Sequence, residues 1–259
     1  MSDPAQWSDL APRVLSGIAM AVFGVGIVYA GGWVFSAAVW GLCGLLIWET
    51  ARMFGATKAV GIAVFGSAAL AVSAFSPALL VLPVLLAVAI VGSGMVARDR
   101  PLFLVTIAWI LCSCYAMIVL RTQFGLTWVL WLIAIVVASD IAGYFAGRLL
   151  GGPKFWPQVS PKKTWSGTIA GWIGAALVGL AFMSPLQAGF ALVPVSMIIG
   201  FAGQMGDIAE SAVKRRTGIK DSSNLIPGHG GVFDRLDAML GAAVLVIALA
   251  ALQMLPGIS

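Results

Sequence analysis

A segment near the carboxyl end of the chain combines charged side chains with glycines. Residues Ser211–Asp237, which we call the charged segment, read SAVKRRTGIKDSSNLIPGHGGVFDRLD and hold five basic side chains, three acidic ones and the only histidine of the chain. Dense charge beside long apolar runs is energetically costly and by default indicates a functional site rather than a solvated loop. We therefore expect the chemistry of the protein in this segment.

Carboxylates recur at helical spacing just before the charged segment and at its end. Asp234 and Asp237 lie at i and i+3 on the last predicted helix. Two helix ends that present carboxylates across a glycine turn could converge on Mg²⁺, which is usually held by one or two carboxylates plus substrate phosphates. The pattern predicts a magnesium site with Asp207, Asp234 and Asp237 as ligands. Four polar residues at i, i+3, i+4 and i+7 share one face of the preceding helix: Asp207, Glu210, Ser211 and Lys214.

Basic side chains accompany these carboxylates. Lys214, Arg215 and Lys220 would neutralise phosphates that the metal bridges, as cations do in phosphoryl-transfer sites. Arg235 carries the same expectation. Asp221, beside Lys220, is either a further metal ligand or the partner of a neighbouring cation.

The glycine turn, residues 228–231, reads GHGG. Gly230 and Gly231 allow positive φ and let backbone amides face an anion, although such a tetrad alone is a weak signal. His229 is a metal ligand, a general acid or base, or a residue that hydrogen-bonds substrate or backbone. A zinc site is disfavoured, because catalytic zinc takes about three protein ligands and the chain has only one histidine. Of these roles we favour a contact with substrate, or a hydrogen bond that supports the metal ligands without binding the metal.

Polar side chains also accumulate upstream of the charged segment. Asp140 lies near the end of an apolar run in SDIAGYFAGRLLG, where a lone carboxylate is a functional group, the partner of a cation, or an acid that reaches water from a helix end. The next loop, GGPKFWPQVSPKKTWSG, places Ser160 close to Lys162 and Lys163. Paired lysines flanked by hydroxyls suit a phosphate, but loop lysines also follow from membrane orientation alone.

Composition places the chain in a membrane. It is 61% hydrophobic and only 10% charged, with a mean hydropathy of +1.02, which excludes an ordinary soluble domain. A bilayer core of about 30 Å takes roughly 20 apolar residues per helix. We predict an all-α polytopic integral membrane protein with about nine transmembrane helices. The spans run approximately over residues 14–30, 33–48, 60–75, 78–96, 102–120, 126–146, 168–183, 190–207 and 238–255, with breaks at Gly31-Gly32, Ser76-Pro77 and Ser184-Pro185.

The distribution of basic residues predicts the orientation. Lys and Arg favour the cytoplasmic side of short loops, and nine spans place fourteen of the fifteen Lys and Arg residues on one face, with only Arg121 on the other. The N-terminus is therefore expected in the cytoplasm. The basic face would meet anionic lipid headgroups or an anionic substrate; nucleic acid is not an expected partner.

We expect a single membrane domain over residues 1–259, with scaffold helices at 13–125 and a catalytic half at 126–259. Gly143 and Gly147, four residues apart, would let another helix approach closely. The N-terminal MSDPAQWSDLAPR lacks the basic region of a secretory signal, so the first span should remain in the mature protein. The three cysteines lie in predicted spans and imply packing rather than a disulfide or a metal site.

The charged segment resembles the signature of the phosphatidate cytidylyltransferases, also called CDP-diacylglycerol synthases. The upstream SDIAGYFAGR and SPKKTWSG are also similar to that family, and the layout of spans fits throughout the chain. One departure is Ser166, which stands where the family has Glu or Gln before Gly167, so a polar contact expected from that position is in question. The positions that match at the expected spacing are Ser211, Lys214, Arg215, Lys220, Asp221, Pro227, His229, Gly230, Gly231, Asp234, Arg235 and Asp237.

This resemblance implies a magnesium-dependent transfer of CMP from CTP to phosphatidate, which gives CDP-diacylglycerol and pyrophosphate in phospholipid biosynthesis. It implies a bacterial-type inner membrane protein whose active site faces the cytoplasm, with CTP, phosphatidate and membrane lipid as partners and a homodimer on the resemblance alone. The catalytic residues are then Asp207, Lys214, Arg215, Lys220, Asp221, His229, Asp234, Arg235 and Asp237. The substrate-binding residues are Asp140, Ser160, Lys162, Lys163, Ser211, Gly230 and Gly231.

Three other classes of membrane protein compete with this interpretation. A secondary transporter also has many spans and intramembrane carboxylates, but its sites lie near the midplane and its halves repeat, whereas this polar cluster lies at one face and no inverted repeat is visible. A CDP-alcohol phosphotransferase would begin its diagnostic run with Asp-Gly, a dipeptide that this sequence does not contain. A purely structural membrane protein would not need the charged segment.

Overall fold

The computed structural model describes residues 10–226, 228 and 230–258, with side chains from Gly17 onward. The acidic start of the chain at 1–9, on which the signal-peptide argument depends, lies outside the described residues. Pro227 and His229 lie outside them as well, so the expected roles of His229 stay predictions.

Helices dominate the described chain, as the composition predicts. Each expected span overlaps one helix, and the three expected breaks each fall between two helices. At the first break Gly31 and Gly32 have φ of 61° and 50°, a backbone conformation that glycine adopts without steric cost. The helices are α1 (Leu10–Ala30), α2 (Gly32–Met53), α3 (Ala59–Ser73), α4 (Ala78–Ser93), α5 (Arg100–Val119, continued by a π-turn at Leu120–Phe124), α6 (Leu126–Leu149), α7 (Trp165–Phe182), α8 (Leu192–Thr217) and α9 (Phe233–Ala251).

Five of these helices have the length and apolar composition that a membrane crossing requires. They are α2, α5 with its π-turn, α6, α7 and α8. The described part of α1, together with α3 and α4, is apolar but shorter than this criterion demands. An all-α membrane fold is thus supported, while nine crossings and a cytoplasmic N-terminus stay predictions.

The loop between α6 and α7 contains a feature that the sequence analysis did not predict. Strands β1 (Lys154–Trp156) and β2 (Ser160–Thr164) form an antiparallel hairpin with Lys154 opposite Thr164. The Phe155 and Trp165 rings pack at 4.8 Å, edge to face, and hold the hairpin at the start of α7. An expected loop is therefore a β-hairpin, and its lysines lie on paired strands.

The described chain divides into two compact units. The first comprises residues 10–111 and Thr217–Arg235, and the second comprises Cys112–Arg216 and residues 236–258. In the first unit, α2 and α3 pack closely: Ser67 Oγ donates to the Trp40 carbonyl, and a Cβ at Gly66 would collide with Ile47. Residues 217–235 of the charged segment thus belong to the unit of N-terminal helices, which the sequence analysis treats as scaffold.

The second unit is built around the contact of α6 with α7. Gly143 and Gly147 make it, as predicted: an added Cβ at Gly143 would lie 3.2 Å from the Gly167 carbonyl oxygen, and one at Gly147 would lie 3.0 Å from Thr164 Oγ1. The buried Trp131 indole also donates to Ser196 Oγ at 3.1 Å and joins α6 to α8. Small residues therefore allow the end of α6 to pack against the start of α7, which directly follows the hairpin.

Candidate functional site

A cavity of about 570 Å³ opens in the second unit at the meeting of α6, β2, α7 and α8. Its wall carries three cations and two carboxylates among small and polar residues. Such a mixture of fixed charges in a concave site is the usual mark of a binding or active site for a charged ligand. The lining residues are Ser139, Asp140, Gly143, Tyr144, Gly147, Arg148, Lys162, Lys163, Thr164, Gly167, Thr168, Gln204 and Asp207.

The cap of α7 positions the lysines of the cavity. Thr164 ends β2 and caps α7, since its Oγ1 accepts a hydrogen bond from Gly167 N at 3.2 Å. Ser and Thr side chains at this position satisfy amides that a helix start leaves without partners. The residues immediately before the cap, Lys162 and Lys163, are thereby fixed at the cavity wall. Ser160, at the other end of β2, is not among the residues that line the cavity.

Lys163 is bonded to α8 at two points. Its Nζ lies 2.7 Å from Asp207 Oδ2 and donates to the Gln204 carbonyl at 3.1 Å. Ser211 Oγ is 3.5 Å from the other oxygen, Asp207 Oδ1, so three of the predicted residues meet on one carboxylate. The side chains of Lys163 and Asp207 remain 23% and 36% exposed, which leaves the pair accessible to a ligand.

Three carboxyl groups of the second unit are electrostatically coupled. The negative charges of Asp207 and Asp140 both act on the Asp237 carboxyl, and the positive charge of Lys163 acts on it in the opposite sense. Asp237 is half-buried in the first turns of α9, where its Oδ1 accepts from Ala238 N. Nearby like charges disfavour one another's ionised form, and the positive charge of Lys163 opposes that effect.

Gln204 is a cavity residue that the sequence analysis missed. It is buried, and its Nε2 donates to Ser139 Oγ and to the Thr168 carbonyl, both at 3.2 Å. The side chain thereby joins α6, α7 and α8 at the cavity wall. A glutamine one turn before Asp207 on an apolar helix was the available signal, since polar residues in such helices are seldom there without a partner.

The remaining predicted residues of α8 lie outside the cavity wall. Lys214 Nζ lies 2.6 Å from Glu210 Oε2, and the Glu210 carboxylate is buried. Arg215 is exposed on the last turn of the helix. The expected shared face of Glu210 and Lys214 is therefore confirmed by this ion pair, and the role of Lys214 toward phosphate stays a prediction.

In the first unit the described residues of the charged segment are organised by Asp234. Its Oδ2 accepts hydrogen bonds from Gly231 N at 2.8 Å, from Ser222 N at 2.9 Å and from Ser222 Oγ at 2.9 Å. Gly230 has a φ of 84° and pairs with Ile226 in an isolated antiparallel bridge. The Gly231 amide therefore faces an anion as expected, but that anion is the side chain of Asp234.

Glu49 on α2 is a second carboxylate at this turn, and the sequence analysis missed it too. It is fully buried and accepts hydrogen bonds from the backbone amides of Val232 and Phe233 at 2.9 and 2.8 Å. Glu49 is the only acidic residue between Asp9 and Asp99, and it lies in an apolar helix. A lone carboxylate in an apolar helix is the same signal that indicated Asp140. The other predicted residues of this unit, Lys220, Asp221 and Arg235, are exposed.

Ser166, where the sequence departs from the family pattern, makes local contacts. Its Oγ donates to the Gly151 carbonyl and lies 3.0 Å from Thr164 Oγ1. The short side chain thus ties the loop after α6 to the cap of α7.

The chain matches one protein family over nearly its whole length. The model of the cytidylyltransferase family matches residues 11–253. The chain belongs to the cytidylyltransferase family. Curated relatives include a phosphatidate cytidylyltransferase of Brucella suis biovar 1 (strain 1330), 48% identical over 125 residues that cover 48% of this chain and 46% of the relative.

Two other members of the family show the same pattern of similarity. A phosphatidate cytidylyltransferase of Helicobacter pylori (strain ATCC 700392 / 26695) is 42% identical over 132 residues, 50% of this chain and 49% of the relative. One of Bacillus subtilis (strain 168) is 37% identical over 121 residues, 46% of this chain and 45% of the relative. The aligned chain spans about half the length of the curated relatives it matches.

Magnesium requires oxygen donors, and the described carboxylates of the chain are the groups that could provide them. Among residues 10–226, 228 and 230–258, no group of three or more His, Cys, Asp and Glu side chains is placed to hold a metal. Asp207 and Asp237 nevertheless offer carboxylate oxygens in one unit, and their charges are coupled. Magnesium is commonly held by one or two carboxylates and completed by substrate phosphates and water. Asp207 and Asp237 thus offer the donor type that magnesium takes, and magnesium binding stays a prediction.

Proposed function

We propose that this protein transfers CMP from CTP to phosphatidate, which yields CDP-diacylglycerol and pyrophosphate. The observation that carries the proposal is the cavity of the second unit, where cations and carboxylates meet in a chain of the cytidylyltransferase family. The bacterial relatives are phosphatidate cytidylyltransferases, which supports phosphatidate as the acceptor. The proposal places the reaction in phospholipid biosynthesis.

The reaction requires positioning more than acid or base. A phosphate oxygen of phosphatidate forms a bond to the α-phosphorus of CTP, the bond to the oxygen bridging the α- and β-phosphorus breaks, and pyrophosphate leaves with that electron pair. Because the nucleophile is already an ionised phosphate, a general base is not needed. Catalysis then depends on holding two polyanions together and on stabilising the charge that grows on the leaving group.

The cations of the cavity suit the first of these tasks. Arg148, Lys162 and Lys163 line it, and charge-assisted hydrogen bonds from such groups to phosphate are about twice as strong as neutral ones. Lys163 is held at the cavity wall by Asp207 and by the Gln204 carbonyl, and it meets a phosphate there by exchanging the Asp207 carboxylate for a phosphate oxygen. We assign phosphate binding to Lys162 and Lys163, with Ser160 and Asp140 as further substrate contacts.

The sequence assignments of the charged segment complete the proposal. Lys214, Arg215, Lys220 and Arg235 stabilise the leaving group, while His229, Ser211, Gly230 and Gly231 contact substrate. Asp207, Asp234 and Asp237 are the proposed ligands of magnesium, with Asp221 as a further candidate. When bound, the metal would neutralise charge on the triphosphate.

We further propose that all nine helices cross a bacterial inner membrane, with the N-terminus and the active site on the cytoplasmic side. The basic residues support this orientation, and the curated relatives come from bacteria. CTP is a cytoplasmic nucleotide, so a site on that face meets its substrate directly. A homodimer is part of the proposal and rests on resemblance alone.

The experiment that tests this function measures pyrophosphate release from the purified, detergent-solubilised protein. The protein receives CTP and phosphatidate together, each substrate alone, and both substrates with magnesium chelated. Release that requires both substrates and the metal is the expected result. Folded protein that releases no pyrophosphate with lipid, nucleotide and metal all present would overturn the proposal and reopen the transporter interpretation.

A further inference from the structure

Glu49 joins an N-terminal helix to the charged segment far along the chain. Its Oε1 accepts from Ser223 Oγ at 2.5 Å and Val232 N at 2.9 Å. Its Oε2 accepts from Phe233 N at 2.8 Å and lies 3.2 Å from Ser222 Oγ, whose one proton it shares with Asp234. These donors follow Glu49 by 173 to 184 residues. All of these residues lie in the first unit.

The carboxylate lies at the start of α9, where free amides need acceptors. Helix α9 begins at Phe233, and the first amides of a helix have no acceptor within it. That end also carries the positive side of the helix dipole and readily binds anions such as phosphate. By accepting from Val232 and Phe233, Glu49 provides that anion from within the protein.

The contact continues to Asp234 through one serine. Ser222 Oγ lies 3.2 Å from Glu49 Oε2 and 2.9 Å from Asp234 Oδ2. Gly231 separates the two carboxylates, and an added Cβ there would collide with Ser222 Oγ and with the Glu49 carboxylate. Glu49 and Asp234 together thus use the amides of three consecutive residues, Gly231 to Phe233.

We propose that Glu49 is a positioning residue, an internal anion that sets the conformation of the turn before α9 and through it the orientation of Asp234. The proposal rests on the proposed function, in which Asp234 is a metal ligand. Glu49 touches neither substrate nor metal in this role. It acts by holding the backbone that presents Asp234.

The test compares three variants of the full-length protein in detergent. Glu49→Gln keeps the shape of the side chain but loses its charge. Its NH2 group also replaces one carboxylate oxygen, so a donor faces the groups that donate to that oxygen in the wild type. Glu49→Asp keeps the charge with a shorter reach. Thr50→Val is the matched control, since Thr50 is equally buried on the same helix but its Oγ1 donates to the Leu46 carbonyl, one turn earlier in α2.

Two readouts separate positioning from general stability. Hydrogen exchange at Gly231–Phe233 should be roughly tenfold faster in Glu49→Gln, because local opening reports local hydrogen bonds. Turnover should fall about 10- to 100-fold, the usual cost of removing the support of a ligand, and the magnesium concentration for half-maximal activity should rise. A smaller fraction of folded protein would lower turnover without moving that concentration. Glu49→Asp should recover part of both effects, and Thr50→Val should match the wild type.

Three outcomes would overturn the proposal. They are unchanged exchange at Gly231–Phe233 in folded Glu49→Gln, faster exchange spread over the whole chain, and loss of activity with an unchanged magnesium requirement. If Glu49→Gln does not accumulate as folded protein, Ser222→Ala and Ser223→Ala each remove one donor to the carboxylate, and unchanged local exchange in both would equally overturn it. The exchange measurement needs no substrate, so it stays informative even if the proposed reaction is wrong.

Discussion

Lys163 Nζ binds Asp207 Oδ2 at 2.7 Å and the Gln204 carbonyl at 3.1 Å, so one lysine of the hairpin is attached to two successive turns of α8. Without a ligand this ammonium group neutralises the carboxylate that the sequence analysis assigns to a metal. Binding of a metal and a nucleotide would require the Lys163–Asp207 ion pair to break, so that each group contacts the ligand. Lys163 could then turn from Asp207 to a phosphate without leaving the cavity wall.

Replacing Asp207 by Asn should abolish turnover while leaving the protein folded. Asn keeps the size of the side chain but loses the charge that pairs with Lys163, so we expect pyrophosphate release to fall at least about 100-fold, the scale of lost electrostatic stabilisation. The matched control is Asp99→Asn, which removes a carboxylate outside the cavity, at a residue whose φ of 37° Asn tolerates. If Asp207→Asn has wild-type activity, the assignment of Asp207 to the active site is wrong.

Lys163 and Asp207 should behave as one unit in a double-mutant cycle. Lys163→Met and Asp207→Asn should each lower activity, and the double variant should lose less than the product of the two losses, with a coupling of about 0.5–3 kcal/mol. Thermal stability should change little, because both side chains are partly exposed, at 23% and 36%. Strictly multiplicative losses in pyrophosphate release would show that the ion pair has no part in the reaction.

The crossing of α8 and α9 should not tolerate a methyl group at Gly206. A Cβ there would collide with the Asp237 carbonyl oxygen and with the backbone of Gly241. We expect Gly206→Ala to destabilise the protein by about 1–3 kcal/mol through overpacking, and to lower activity because Asp237 shifts with its backbone. Gly26→Ala is the control, since its Cβ would meet nothing within 4 Å, and should leave stability equal or slightly raised. Equal melting temperatures for the two variants would contradict this close crossing.

The cap of α7 should contribute measurably to stability. Thr164→Ala removes the oxygen that accepts from Gly167 N, and the loss of such a cap costs about 0.5–2 kcal/mol. Thr164→Ser keeps that oxygen and should stay close to wild type. We expect the alanine variant also to bind CTP more weakly, because Lys162 and Lys163 immediately precede the cap. Thermal unfolding and a nucleotide-binding titration of both variants test this, and indistinguishable variants would refute it.

Much of the helical framework could be predicted from the sequence, because apolar length and turn formers act locally. The breaks at Gly31-Gly32 and Ser76-Pro77 fall between helices as expected. The close approach of Gly143 to the next helix follows from side-chain size alone and is also confirmed. The hairpin was missed because its two strands are short and contain Pro157 and Pro161 in or beside them, which weakens the alternating pattern that indicates a strand.

The partners of the charged groups could not be read from spacing. The separation between Lys163 and Asp207 along the chain does not reveal that they meet, and Glu49 lies in a region that reads as scaffold. The amides near the glycine turn were expected to face a substrate anion, yet Asp234 and Glu49 accept those of Gly231 and Val232. Long-range pairing of this kind depends on tertiary packing, which the local sequence pattern does not predict.

The distance along the chain between Glu49 and its donors has a consequence for biogenesis. Glu49 is synthesised 173 residues before Ser222, the first serine that binds its carboxylate. At translation speeds of about 5–20 residues per second, that interval is roughly 10–35 s. During that interval the carboxylate has none of these donors, so the turn before α9 closes around Glu49 only after Ser222 to Phe233 have been synthesised.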